Sequence, residues 1–145
     1  LRAVSHNLFS AELLEEGLEK AVRHYCAAVS ITSGISINVE SIYEQPVEMN
    51  SQFAFQVFRV VQELLQNIIK HSNATQAIVQ LSFDAGMLSI TIEDNGQGFE
   101  KSMLKENGGI GLKNVESRLK ILHGHMDIQS QPGKGTSVFA QVPYR

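Results

Sequence analysis

The chain has 145 residues, 43% of them hydrophobic and 19% charged, a length and balance that suit one ordinary globular domain with a single core. Twelve basic against fifteen acidic residues leave a net charge of -3, so a nucleic-acid partner has no electrostatic footprint and none is expected. No apolar stretch approaches a bilayer span and no signal peptide opens the chain, which predicts a soluble domain without direct membrane contact.

In chain order, SAELLEEGLEKAVRHYCAAVSI from Ser10 opens on an N-cap residue and early acids and carries apolar residues at helical spacing, which predicts a helix. Cys26, within it, has no second cysteine to pair with, which fits a reducing, cytoplasmic setting. ISINVESIY from Ile35 reads as a strand, and SQFAFQVFRVVQELLQNIIKHS from Ser51 as a long amphipathic helix ended by Asn73. AIVQLSFD from Ala77 and MLSITIED from Met87 alternate apolar and polar residues and meet at Ala85-Gly86, the pattern of a hairpin. GLKNVESRLKILHG from Gly111 reads as a helix stopped by Gly124. Strands HMDIQSQ and TSVFAQVP follow, joined by PGKG. The sum is an α/β domain with much antiparallel pairing. Because the chain begins in mid-pattern at Leu1, it is expected to be excised from a longer protein.

Three polar constellations stand out against this frame. The first is DNGQGF, residues 94–99. Leu88, Ile90 and Ile92 share a strand face, and Asp94 has the same parity, so its carboxylate points where the core points. By the same count Thr136 lies on the face of Val138, Ala140 and Val142. A turn needs no inward acid, and the segment after Phe99 is not strand-like, so a polar recognition point at the edge of the core is expected.

The second lies on the long helix, where Glu63, Asn67 and Lys70 project from one stripe with His71 at its edge. A solvated polar face would look the same. The set nevertheless offers a carboxylate to orient or activate a nucleophile, an amide oxygen for Mg²⁺, and cations for phosphate oxygens. The third is NGGIGLKNV, residues 107–115. Its glycines permit close backbone approach, and the following helix N-terminus presents free N–H groups to an anion, for which phosphate is the natural occupant. It is neither the lysine-bearing P-loop nor a dinucleotide fingerprint.

In this order, ELLQNIIKH, DNGQGF, GGIGL and PGKGT resemble the N, G1, G2 and final glycine boxes of the ATPase superfamily shared by histidine kinases, gyrase, MutL and Hsp90. The resemblance is nearest to the ATP-binding catalytic domain of sensor histidine kinases of the NarX/DesK/LiaS-like class. It implies a two-layer α/β sandwich of the Bergerat (GHKL) type, with a mixed, mainly antiparallel sheet covered by helices on one face. It further implies residues 1–9 as the end of a dimerisation helix and 10–145 as the catalytic domain. ATP and Mg²⁺ are the implied ligands. Asp94 would read the adenine amino group with Thr136 assisting through water, while Gly96 and Gly98 let the base lie against the backbone and Phe99 begins the lid. Asn67 would ligate Mg²⁺, and Glu63 would orient or deprotonate the attacking group. Lys70 and His71 would face the phosphates, with Gly108, Gly109, Ile110, Gly111 and Leu112 around them.

The segment between Gly98 and Gly108 is short for gyrase or MutL, which favours the kinase class. The implied partners are an upstream dimerisation and phosphoacceptor domain and, downstream of it, a response regulator. The isolated domain is expected to be monomeric and the full-length kinase a homodimer. His6 sits too near the start to be the acceptor, His24 reads as a helix-surface residue, and His123 and His125 read as a turn. Another ATPase of this superfamily, an anti-sigma-type serine kinase and a non-catalytic nucleotide-binding scaffold are the alternatives.

Overall fold

A computed structural model describes residues 17–43, 49–98 and 109–144. Along them run α1 (Leu18–Ser33), β1 (Ser36–Ile42), α2 (Ser51–His71), β2 (Gln76–Asp84), β3 (Met87–Asp94), α3 (Gly109–Ile121), β4 (His125–Ser130) and β5 (Thr136–Pro143). The helix expected from Ser10 is seen from Leu18 onward, its proposed N-cap lying outside the described residues. It stops at Gly34, whose left-handed backbone (φ 78°) lets its N–H reach Ser30 O at 3.0 Å. The long helix starts where Asn50 Oδ1 accepts from Gln52 N at 2.8 Å, satisfying one of the free first-turn donors.

The five strands form one sheet in the order β1-β2-β3-β5-β4, parallel between β1 and β2 and antiparallel elsewhere. A parallel pair needs a crossover, and α2 supplies it. The β2–β3 hairpin turns through Ala85 and Gly86, both at positive φ (52° and 77°), a two-residue turn that matches the twist of the strands. The last helix ends at Ile121, three residues before the expected glycine. His123 takes the left-handed position (φ 60°), His123 N bonds to Lys120 O and Gly124 N to Leu119 O. Gly124 is small for a different reason, since a Cβ there would crowd Gln141 O of β5 at 2.6 Å.

Alternation along the strands decides which face is covered. Val79 and Leu81 of β2, Leu88, Ile90 and Ile92 of β3, and Val138, Ala140 and Val142 of β5 are buried in one cluster with residues of all three described helices. Among the helical members are Val22 and Cys26 of α1, Phe58 and Leu65 of α2, and Val115 and Leu119 of α3. Each large aliphatic side chain so buried contributes about 1.5–3 kcal/mol relative to exposure. On the other face Ile78 and Phe139 remain 41% and 39% exposed, so the helices cover one side only. The result is the expected two-layer α/β sandwich with a mixed, mainly antiparallel sheet. Burial also pushes the Cys26 thiol up to about 12, making it a small hydrophobe of the core and not a nucleophile.

At the β2–β3 turn the sandwich is closed by rings. Phe83 lies 5.3 Å from Tyr144 and 5.6 Å from Tyr43, and Tyr144 lies 5.2 Å from Phe53. The opposite end, where β3 finishes at Asp94 and β5 begins at Thr136, shows no such plug among the described residues and holds the expected polar residues.

Candidate functional site

Asp94 pairs with Ala77 on β2 and Thr136 on β5, so it sits at the exit of the sheet's interior, half-buried as parity predicted. Gly96 N donates to Asp94 Oδ1 at 2.8 Å, while Oδ2 is buried with no partner among the described residues. Burial raises the Asp94 carboxyl above its ordinary value of 3.8, and main-chain hydrogen bonds from Gly96 and Thr136 pull less strongly the other way. An acid held under that tension is a ready acceptor for an outside N–H donor. The Thr136 hydroxyl is itself engaged with Ser130 Oγ at 2.9 Å.

The residues after Asp94 are fastened to two neighbouring segments. Asn95 Oδ1 accepts from Thr75 N and Gln76 N, both at 2.9 Å, and its Nδ2 donates to Thr75 Oγ1 at 2.9 Å. Gln97 donates through its main-chain N to Ser72 O at 2.6 Å and through Nε2 to His71 O at 2.7 Å. Gly133 N in turn donates to Gln97 O at 2.6 Å. Sequence reasoning assigned Gly96 and Gly98 to the close approach of a base, and the structure gives them a further reason. A Cβ on Gly96 would strike Ser72 O, and one on Gly98, at φ 66°, would strike Gln131 O. Gly135, at φ 79°, lies against Asp94 O in the same way. Asn95, Gln97 and Gly135 were not singled out from the sequence, because their partners lie on other elements.

Glu63 and Asn67 lie one turn apart on α2 and face the same way, as their spacing predicted. Glu63 is not a free base: Arg118 Nε of α3 donates to its Oε1 at 3.2 Å, and Arg118 Nη1 donates to Gln56 Oε1 at 2.8 Å. Glu63 Oε2 and Asn67 Nδ2 are both buried without a partner among the described residues. Native proteins rarely leave such atoms unmatched, so they mark where something else belongs. Lys70 and His71 are exposed in the last turn of α2, the end to which Gln97 is tied.

Phe99 and Gly108 lie outside the described residues. Gly109, Ile110 and Gly111 form the first turn of α3 and do not precede it. Main-chain N–H groups of a first helical turn have no partner within the helix and are available to an anion. Leu112 packs its side chain on the core, which leaves only its main chain for a ligand. Among the described residues no cluster of three or more His, Cys, Asp or Glu could hold a metal; His123 lies in the turn after α3, and His125 opens β4. A single amide ligand is consistent with Mg²⁺, which keeps its waters and leans on substrate phosphates. Among them, too, no helix is long and apolar enough to cross a membrane.

A one-sided α/β sandwich with a half-buried acid at a glycine-bound strand end, an amide on the neighbouring helix and a helix N-terminus nearby defines a nucleotide-binding domain of the ATPase type. The family profile described as histidine kinase-, DNA gyrase B- and HSP90-like ATPase matches residues 54–145, and the chain belongs to that family. It is 28% identical over 99% of its length to the signal transduction histidine-protein kinase/phosphatase DegS of Brevibacillus brevis, covering 36% of that protein. It is 30% identical over 99% of its length to the sensor histidine kinase MctS of Rhizobium johnstonii, covering 31% of it. The histidine kinase domain of the blue-light activated histidine kinase from Erythrobacter litoralis EL346 superposes with a TM-score of 0.72 at 24% identity, over 88% of this chain and 61% of that one, a likeness of fold. The chain spans about a third of the length of the two curated relatives. It is an ATP-binding domain of the kind that sensor histidine kinases carry.

Proposed function

We propose that this domain binds Mg-ATP and transfers the γ-phosphoryl group to a histidine on an upstream dimerisation domain, within a two-component kinase that passes the group on to a response regulator. Residues 10–145 form the catalytic unit in this reading and 1–9 its junction. The isolated domain is monomeric, the full-length kinase a cytoplasmically disposed homodimer. The observation that carries the site assignment is the trio of buried, unpartnered atoms, Asp94 Oδ2, Asn67 Nδ2 and Glu63 Oε2, all within the set that resembles the family's site.

Each atom then has a task. Asp94 accepts the exocyclic amino group of adenine, and the protein N–H groups around Gly96 keep that carboxylate in place. The amide oxygen of Asn67 ligates Mg²⁺, and its buried NH₂ donates to a phosphate oxygen. Mg²⁺, when bound, neutralises charge that develops on the transferring phosphoryl group. Lys70 and His71 offer cations to the phosphates, and the first turn of α3 offers main-chain donors. Glu63, already holding a guanidinium on one oxygen, orients the incoming imidazole with the other. A loose phosphoryl transition state asks for such positioning and charge stabilisation more than for covalent chemistry.

The test supplies, in trans, a helical hairpin bearing a histidine kinase acceptor histidine, with Mg²⁺ and γ-labelled ATP. Acid-labile label on the hairpin and none on this chain alone is the expected result. In Asn67→Ala, ATP affinity should lose most of its response to Mg²⁺. Steady ATP hydrolysis with no label on any histidine-bearing partner would instead favour the ATPase alternative.

A further inference from the structure

Arg118 lies on α3, the helix whose first turn holds Gly109 and Gly111, yet its guanidinium reaches across to α2. Its Nε donates to Glu63 Oε1 at 3.2 Å and its Nη1 to Gln56 Oε1 at 2.8 Å. Two N–H groups of one rigid, planar fork are thereby committed to two side chains on α2, which fixes the plane of the guanidinium. Gln56 and Glu63 are seven residues apart, two turns of one helix face, so the fork is anchored on both sides. Glu63 is left with one oxygen used and the other, Oε2, buried without a partner among the described residues, as is Nδ2 of Asn67 one turn further along α2.

We infer that Arg118 is a positioning residue for the phosphoryl-transfer step, holding Glu63 by Oε1 so that Oε2 stays turned toward the nucleophile, with Gln56 as its brace. The inference rests on the function proposed above and adds two residues to it. Structural bonding alone explains the arrangement less well. Val115 and Leu119 already seal α3 onto the core, and Glu63 and Arg118 keep only 16% and 27% side-chain exposure, a setting in which desolvation offsets much of the attraction of an ion pair. A pair made only to join helices would also have no reason to leave its carboxylate half satisfied in a buried position.

The guanidinium further links the two halves of the site, since one helix carries the polar stripe and the other the glycines. Its loss should leave ATP bound and the attacking group poorly aligned, an effect on the rate and not on the affinity. Adenine recognition depends on Asp94, at the strand end, and is untouched.

The experiment measures transfer to the acceptor hairpin in trans, Mg-ATP affinity by calorimetry and melting temperature, for the parent, Arg118→Met, Arg118→Lys, Gln56→Ala, Glu63→Gln and the Glu63→Gln/Arg118→Met double variant. Arg118→Met should lose tenfold or more in transfer rate with affinity within twofold of the parent. Arg118→Lys should recover part of that loss by restoring a cation to Glu63, and Gln56→Ala should show a smaller loss. In the double variant, Arg118→Met should add nothing to the defect of Glu63→Gln. Should Arg118→Met not fold, Arg118→Lys and Gln56→Ala decide by the same split between rate and affinity. An undiminished rate in these variants, a loss that appears in affinity, or an equal loss on top of Glu63→Gln overturns the positioning role. A parent that binds Mg-ATP but never labels the hairpin overturns the kinase reading itself, and this inference with it.

Discussion

The two ends of the sheet terminate the same three strands, β2, β3 and β5, in opposite ways. At the Ala85-Gly86 turn the interior is closed by Phe83, Tyr144, Phe53 and Tyr43, carbon against carbon. At the Asp94 end the described residues close it by main chain, with Asn95, Gln97 and three tightly packed glycines. Both ends bury polar atoms without partners among the described residues, and their chemistry separates them. Tyr43 Oη at the aromatic end is a hydroxyl that burial pushes up to about 12, with Glu19 adding to the rise, so it stays neutral at any ordinary pH. Asp94 is an acid whose carboxyl burial raises above its ordinary value, and its Oδ2 lacks a donor among the described residues. In the function proposed above, one end is finished by folding and the other by the nucleotide.

That contrast breaks most visibly if stability and binding fail to separate. Phe83→Ala removes a ring that touches two others, and a truncation of this kind costs about 2–3 kcal/mol when the side chain is partly buried. Denaturant titration should show that loss, and ATP affinity of the folded variant should stay within twofold of the parent. A large loss of affinity would mean that the two ends are not independent.

Asp94→Asn should do the reverse. Its amide can still accept from Gly96 N while turning a donor toward the adenine amino group, so affinity should fall by about 1–3 kcal/mol, the cost of an unpaired buried contact. Calorimetric titration with ATP measures the loss, and melting temperature should not drop. Unchanged affinity would remove Asp94 from the base site.

The smallest effect concerns protons. The Asp94 carboxyl is raised above 3.8, so the folded chain holds this proton more tightly than the unfolded chain does. The stability that follows is fully present below about 3.8 and is lost as pH rises through the folded value. Without nucleotide, the parent should therefore lose stability relative to Asp94→Asn as pH rises from about 4 toward neutrality. Parallel melting curves for the two proteins across that range would contradict the burial of the acid.

What the sequence disclosed and what it withheld divide along the range of the contacts. Strand alternation placed Leu88, Ile90, Ile92 and Asp94 on one face, and helical spacing placed Glu63 beside Asn67, because both patterns are local. The order of such segments indicated an α/β domain with much antiparallel pairing, and the two-layer sandwich came with the resemblance to the ATPase superfamily. Hidden were Arg118, which meets Glu63 from 55 positions away, and Asn95, whose side chain caps Thr75 and Gln76. The glycines of DNGQG were visible as glycines, but the carbonyls of Ser72 and Gln131 that forbid a side chain there belong to other parts of the chain. The start of α3 at Gly109 was also missed, since glycine is a poor helix former.

The strand order places β5, the last of the described strands, between β3 and β4 in the interior of the sheet. Thr136, opposite Asp94, and Gly135, pressed against Asp94 O, thus arrive at the acid only after α3 and β4 have been laid down. During synthesis the carboxylate leaves the ribosome well before the wall that shelters it. Until β5 inserts, β3 is an open edge and Asp94 lacks the wall that Thr136 and Gly135 supply, so the pocket proposed for the base is a property of the finished sheet.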